Sequence, residues 1–189
     1  MKRRTKVVGI IGKSGVGKSF LVNKFYEIYK NKNMFNIIKS YSTRAPRDIE
    51  DFKTHTFVTE DFYNNAKKNN NIISDYRSPK NYNNFATHNL FLNSKINIFT
   101  VDVMAFNKLC EMPELYDCMA IVIDIDEETR RKRLEENRQE MFTVEDHLDI
   151  RLLNKKCKVL KIINEDDNDT KLVSNLYTMF STMFEWGLK

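Results

Sequence analysis

The sequence predicts an α/β protein in which a parallel sheet is covered by helices on both faces. Short apolar, partly β-branched runs alternate with stretches of helical period. A glycine-rich turn joins the first such run to the first helix, the junction expected of a β-turn-α unit. Two polar, charged segments interrupt the alternation without adding long apolar strands of their own.

The elements follow in order. Residues 6–11, KVVGII, are expected as a buried strand. Over 18–31 a helix is expected, because Phe20, Leu21, Phe25, Ile28 and Tyr29 recur at helical spacing with Lys and Asn between them. Residues 35–38 (FNII) and 96–103 (INIFTVDV) read as the second and third strands, 118–124 (CMAIVID) as the clearest buried strand, and 159–163 (VLKII) as the last. Further helices are expected over 60–69, 103–110, 127–138, 144–157 and 170–185. The interrupting segments are 40–91, which is Asn-rich and extended with one helix, and 126–157, a pair of highly charged helices. Both are expected as appendages on a single domain, 1–189, whose core comprises 1–39, 92–125 and 158–189. In such a sheet, ligands sit beyond the carboxyl ends of the strands, where Asp102 and Asp124 fall.

Composition narrows the function classes. The chain of 189 residues is 41% hydrophobic and 30% charged, ordinary for a globular domain, and its net charge of +5 suits an anionic ligand. The basic residues gather at loops and charged helices rather than along one stripe, so no nucleic acid is expected as partner. No stretch approaches the ~20 apolar residues of a membrane span, and the basic N-terminus runs into too short an apolar segment for a leader. Cys110, Cys118 and Cys157 are scattered and odd in number, which predicts a reducing, cytoplasmic setting and inert, structural thiols.

Residues 12–19 read GKSGVGKS and fit the phosphate-binding pattern G-x-x-x-x-G-K-[ST]. Successive backbone N–H groups must wrap around phosphate oxygens, which asks for glycine at the tightest points. The candidate nucleotide-binding residues are therefore Gly12, Ser14, Gly15, Val16, Gly17, Lys18, Ser19 and Phe20. Lys18 would neutralise charge between the β- and γ-phosphates of ATP, and the Ser19 hydroxyl would ligate Mg²⁺, with the helix N-terminus adding its positive end.

A second constellation follows the second strand, where residues 40–47 read SYSTRAPR. Pro46 stiffens the turn between Arg44 and Arg47, and two guanidinium forks on a rigid turn suit a phosphate gripped bidentately. On chemistry alone, a solvated basic turn is the competing reading.

This segment resembles the guanylate kinase signature Ser-x-Ser-Thr-Thr-Arg-x-Pro-Arg and its variants. The similarity continues in order through HTFV at 55–58, EDF at 60–62, NYNNFAT at 81–87, VDV at 101–103, KRLE at 132–135 and IINED at 162–166. The resemblance implies a nucleoside monophosphate kinase in which 40–91 is the monophosphate-binding lobe and 126–157 a helical lid. It implies that Ser40, Arg44 and Arg47 hold the acceptor's phosphate, helped by His55 at the place of the family's first tyrosine. Asp75 falls near the family's guanine-reading glutamate, Phe85 on its second tyrosine and Thr87 on its small hydroxyl residue. Asp102 would orient the acceptor or the metal's water shell, and Asn164 would approach the donor's adenine. Arg133, Arg138 and Arg151 match the family's lid arginines, with Arg138 one residue beyond the family's spacing. Taken alone, Asp75 also reads as a surface carboxylate, His55 as a packed histidine and the arginine-rich helix as a solvated face.

The expected activity is thus phosphoryl transfer from ATP to a nucleoside monophosphate, GMP or dGMP first, by a monomer or homodimer. The alternatives are a kinase for another nucleotide or phosphorylated small molecule, and a guanylate-kinase-like module that binds protein without catalysing. Such modules typically lose the loop chemistry that Lys18 and Ser19 retain.

Overall fold

The computed structural model describes residues 4–46, 49, 51–78, 81–138, 152–155, 157–164 and 169–187, without the side chains of 136–138, 169 and 170. The order of elements is β1 (Thr5–Ile11), α1 (Lys18–Tyr29), β2 (Phe35–Ile38), β3 (Ser40–Ser42), α2 (Asp51–Thr54) and β4 (His55–Phe57). There follow α3 (Glu60–Lys68), β5 (Ile72–Arg77), β6 (Asn83–Thr87), β7 (Ile96–Thr100) and α4 (Val103–Cys110). The chain continues through β8 (Tyr116–Asp124), α5 (Glu127–Arg138), β9 (Lys158–Ile163) and α6 (Asp169–Gly187).

Five strands form a parallel sheet in the order β2-β7-β1-β8-β9. Alternate residues of the central strands face opposite layers, so both faces must be apolar. Val8, Ile10, Ile98, Ile121 and Ile123 pack with Leu21, Val22 and Phe25 of α1 and with Leu176, Met179 and Met183 of α6. On the other face Val7, Ile11, Phe99, Ala120 and Val122 pack with Ala105, Phe106 and Leu109 of α4. Each fully buried aliphatic side chain contributes on the order of 1.5–3 kcal/mol. Gly9 allows the closest approach between layers, because a Cβ there would lie 2.4 Å from Phe106 Cδ2.

A second sheet, β4-β3-β6-β5, is built from the polar segment. β3 pairs parallel with β4 and antiparallel with β6, which pairs antiparallel with β5. Tyr63 and Ala66 of α3 pack on Phe85, with Tyr41 and Ile72 against them. The opposite face of this sheet meets the core, where Ile73 and Ala86 join the cluster around α4.

The structure corrects the sequence reading in three places. The third strand stops at Thr100 and α4 begins at Val103, because the Asp102 side chain caps the helix by accepting from the Ala105 N–H at 2.9 Å. Most of the helix expected over 144–157 lies outside the described residues, and 152–155 are not α-helical. The cysteines are scattered only in sequence. Cys110 Sγ lies 2.7 Å from Cys157 Sγ, and Cys110 is also hydrogen-bonded to Cys118. That bond and burial push the Cys110 thiol up to about 12, which favours the protonated, unreactive form.

Candidate active site

Because β1, β2, β7 and β8 are parallel, their carboxyl ends open on one edge of the sheet. β1 leads into the glycine loop, β2 into the second sheet, β7 into Asp102, and β8 into α5. The glycine loop, the second sheet, Asp102 and the start of α5 therefore leave the core at the same edge.

The loop between β1 and α1 has the backbone that its glycines permit. Gly15 and Gly17 have φ of 84° and 90°, in the left-handed region that favours glycine. Gly12 is forced by space, since a Cβ there would lie 2.5 Å from the Ile123 carbonyl oxygen. Val16 is 1% exposed and seats its side chain in the core, so only its main chain is available to a ligand. Lys18 Nζ donates to the carbonyl oxygens of Gly12 at 2.7 Å and Lys13 at 2.8 Å. Ser19 lies in the first turn of α1, half-buried, and Phe20 is exposed. Asn164 is buried behind the loop, where its Nδ2 donates to the Val16 carbonyl at 2.8 Å. Its own carbonyl accepts from Arg133 Nη2 at 3.2 Å. Arg133 thus sits beside Gly17, with its Nη1 only 3.3 Å from where a Cβ would stand.

The second sheet carries the other candidates. Register places Ser40 opposite His55, and Ser42 opposite both Phe57 and Asn84. Asn84 and Ala86 alternate with Asn83 and Phe85, so Ser42 and Asn84 share the sheet face that meets the core. Among the described residues, Ser42 Oγ and Asn84 Oδ1 are the buried side-chain polar atoms with no hydrogen-bond partner. His55 Nδ1 lies 2.9 Å from Thr54 Oγ1, and its ring stacks on Phe57 with centroids 6.1 Å apart.

Arg44 is held firmly. Its guanidinium donates to both oxygens of Asp51, at 2.7 and 3.0 Å, and to the Ala45 carbonyl. It lies 5.2 Å from the Phe57 ring centroid and 6.0 Å from that of Tyr82. Both charged side chains are largely buried, with 11% and 15% exposure. One edge of the fork is therefore occupied by a carboxylate.

Three of the expected acceptor contacts are placed otherwise. Phe85 is 1% exposed and packs between Tyr41, Phe62 and Tyr63, so it fills the lobe's core instead of lining a binding face. Thr87 is 2% exposed and donates to the side chain of Asn89. Asp75 pairs by register with Phe85, and its carboxylate is ion-paired with Lys108 of α4. Asp102 is the cap of α4, and burial outweighs its backbone hydrogen bonds to raise its pKa. Arg47 and Arg151 lie outside the described residues, as does the Arg138 side chain.

The sequence reading missed Arg130. It is 2% exposed, far from a solvated helix face. Its Nε donates to Glu127 at 2.6 Å, and its Nη1 to the Ser14 carbonyl of the loop at 3.2 Å. Glu127 also receives Lys13 of the loop, and these bonds, from Lys13 first, lower its pKa. Asp124 at the end of β8 has burial raising its pKa, but Lys161 and the Ile125 N–H reverse the balance to a net lowering. No cluster of three or more His, Cys, Asp or Glu fit for a metal occurs among the described residues. Nor is any helix among them long and apolar enough to cross a membrane.

Comparison with known proteins agrees with this architecture. No family model matches the chain. A guanylate kinase from Campylobacter jejuni subsp. jejuni is 30% identical over 110 residues, covering 56% of this chain and 52% of that protein. The chain's match thus spans about half the length of that curated relative. The crystal structure of guanylate kinase from Anaplasma phagocytophilum superposes with a TM-score of 0.64 at 18% identity, covering 100% of this chain and 89% of that one. A gluconokinase from Sinorhizobium meliloti 1021 covers 98% of this chain and 99% of its own at 10% identity, but its TM-score of 0.46 is too low to bear on the fold. Over about half its length this chain is similar in sequence to a guanylate kinase, and its fold is that of the guanylate kinase from Anaplasma phagocytophilum.

Proposed function

We propose that the chain transfers the γ-phosphoryl group of ATP to a nucleoside monophosphate, with GMP or dGMP as the first acceptors to test. The observation that carries this reading is the shared edge of the parallel sheet. It sets a glycine-rich anion cradle with Lys18 beside a lobe whose Arg44 is fixed on a rigid turn. In this reading Ser40, Arg44, Arg47 and His55 serve the acceptor, and 40–91 and 126–157 act as lobe and lid.

The reaction needs no nucleophilic side chain. The acceptor's phosphate oxygen attacks the γ-phosphorus in line through a loose, charge-spread transition state, and ADP leaves. The loop's N–H groups and Lys18 stabilise the charge that shifts toward the leaving oxygen. Arg133, beside Gly17 and the Asn164 carbonyl, is placed to follow the donor, while Asn164 supports the loop from behind. Ser19 offers a hydroxyl oxygen in the first turn of α1, the residue of this loop that would ligate a Mg²⁺ ion arriving with the nucleotide. Such an ion would supply charge neutralisation to the triphosphate. Closure of the lid would exclude water that otherwise hydrolyses ATP. The free thiols favour a reducing setting, in which we place the protein as a cytoplasmic monomer or homodimer.

The ion pair of Asp75 with Lys108 favours a second reading on base identity, a kinase for another nucleotide. A coupled assay of ADP release with ATP-Mg²⁺ and a panel of ribo- and deoxymonophosphates separates the two. Turnover on GMP or dGMP supports the first reading, and turnover confined to another base supports the second. Absence of transfer to every monophosphate overturns both.

A further inference from the structure

We propose that Arg130 is a positioning residue for the donor triphosphate, holding the phosphate loop in its cradle shape from the root of α5. The inference rests on the reading of residues 12–19 as the ATP site.

A loop that turns successive N–H groups inward must turn its carbonyls outward, and each outward carbonyl needs a partner of its own. In this chain side chains provide them. Lys18 takes the carbonyls of Gly12 and Lys13, Arg130 takes that of Ser14, and Asn164 takes that of Val16. Lys18 must turn toward phosphate when the donor binds. Arg130 and Asn164 approach from behind the loop, where ligand does not compete with them.

The packing around Arg130 is as specific as its hydrogen bonds. Gly15 leaves a hollow that Leu134 and the Arg130 stem fill, since a Cβ at Gly15 would lie 2.9 Å from Leu134 Cγ and 3.3 Å from Arg130 Cγ. A guanidinium that is 2% exposed is costly unless its charge is met, and Glu127 meets it. The same carboxylate holds Lys13, so one acidic residue of α5 binds both the loop and the arginine that braces it. The loop and the first turns of α5 therefore form one unit. A shift of α5 relative to β1 would break the bond to Ser14 and loosen the cradle.

Arg130→Met keeps the stem over Gly15 and removes the guanidinium. Calorimetric titration of ATP-Mg²⁺, without acceptor, should show Kd rising about tenfold. In turnover assays KM for ATP should rise in step, while KM for the acceptor stays within about twofold. Arg130→Lys keeps the charge beside Glu127 and should recover part of the loss. Glu127→Gln, a change at a half-exposed side chain, should weaken ATP about threefold. If Arg130→Met does not fold, these last two variants carry the test. Unchanged ATP affinity in the variants, or equal losses for ATP and acceptor, overturns the assignment. Wild-type protein that binds no ATP overturns the donor-site reading beneath it. The titration contains no acceptor, so a wrong acceptor identity does not alter what it says of Arg130.

Discussion

The two anion sites of this molecule are built to different standards. At the glycine loop, the carbonyls of Ser14 and Val16 are held by Arg130 and Asn164, and those of Gly12 and Lys13 by Lys18. At the lobe, the cation expected to grip phosphate is already bonded on one edge to Asp51, and two buried polar atoms on the core-facing sheet, Ser42 Oγ and Asn84 Oδ1, have no partner. The first site is preorganised by elements that also form the core. The second depends on short strands whose polar groups await either a ligand or a rearrangement. Preorganisation lowers the cost of binding, so the donor side should be robust to distant changes and the acceptor side sensitive to nearby ones.

The largest effect expected is at Lys18. Lys18→Ala should lower turnover by about three orders of magnitude while thermal unfolding changes little, because its amine bonds two carbonyl oxygens of the same loop, and the net contribution of such bonds is modest. Steady-state rates and a melting curve on the same preparation check both halves, and unchanged turnover breaks the donor-site reading. Next in size is Arg44→Ala, expected to raise KM for the monophosphate about a hundredfold and to leave KM for ATP nearly unchanged. An equal loss of ATP affinity would erase the distinction between the two sites. Asp51→Asn is a sharper probe of the contrast. Removing the carboxylate charge frees the guanidinium for phosphate, so acceptor KM should fall severalfold while the protein loses about 1 kcal/mol of stability from a mostly buried pair. A rise in acceptor KM would instead assign Asp51 the task of orienting Arg44.

The same contrast explains what could be read from sequence. The glycine loop is a local feature: its residues lie within one turn, and each glycine answers a backbone or space requirement of its own. The central strands were legible for a similar reason, since burial on both faces leaves continuous apolar runs. The lobe was not. Its strands are three to six residues long and half polar, and their register pairs residues as distant as Ser42 and Asn84. Resemblance alone placed Asp75 and Phe85 at the acceptor, whereas the fold buries Phe85 in the lobe's core and ion-pairs Asp75 with Lys108. Arg130 reads as a solvated helix residue because the hollow that receives it exists only once Gly15 and Leu134 meet.

The smallest effect concerns the junction of the two regions, at Asp102. Burial raises the pKa of its carboxyl, and the bond from the Ala105 N–H and the charge of Lys108 only partly offset that. An acid whose folded pKa exceeds its unfolded one binds the proton better when folded. Stability therefore falls as pH rises from the unfolded pKa through the folded one, and the whole cost is present at neutral pH. Asp102→Asn keeps an oxygen able to accept from Ala105 and removes the charge. Its melting temperature at neutral pH should exceed that of the parent by about 2 °C, and the gain should vanish below the carboxylate range. A lower melting temperature at neutral pH would mean that the ionised cap stabilises α4 more than burial penalises it. Turnover measured on the same variant then tells whether this stability was given up for function: a loss confined to acceptor KM would place Asp102 with the lobe, and a loss in kcat with acceptor KM unchanged would place it with the transferring phosphoryl group.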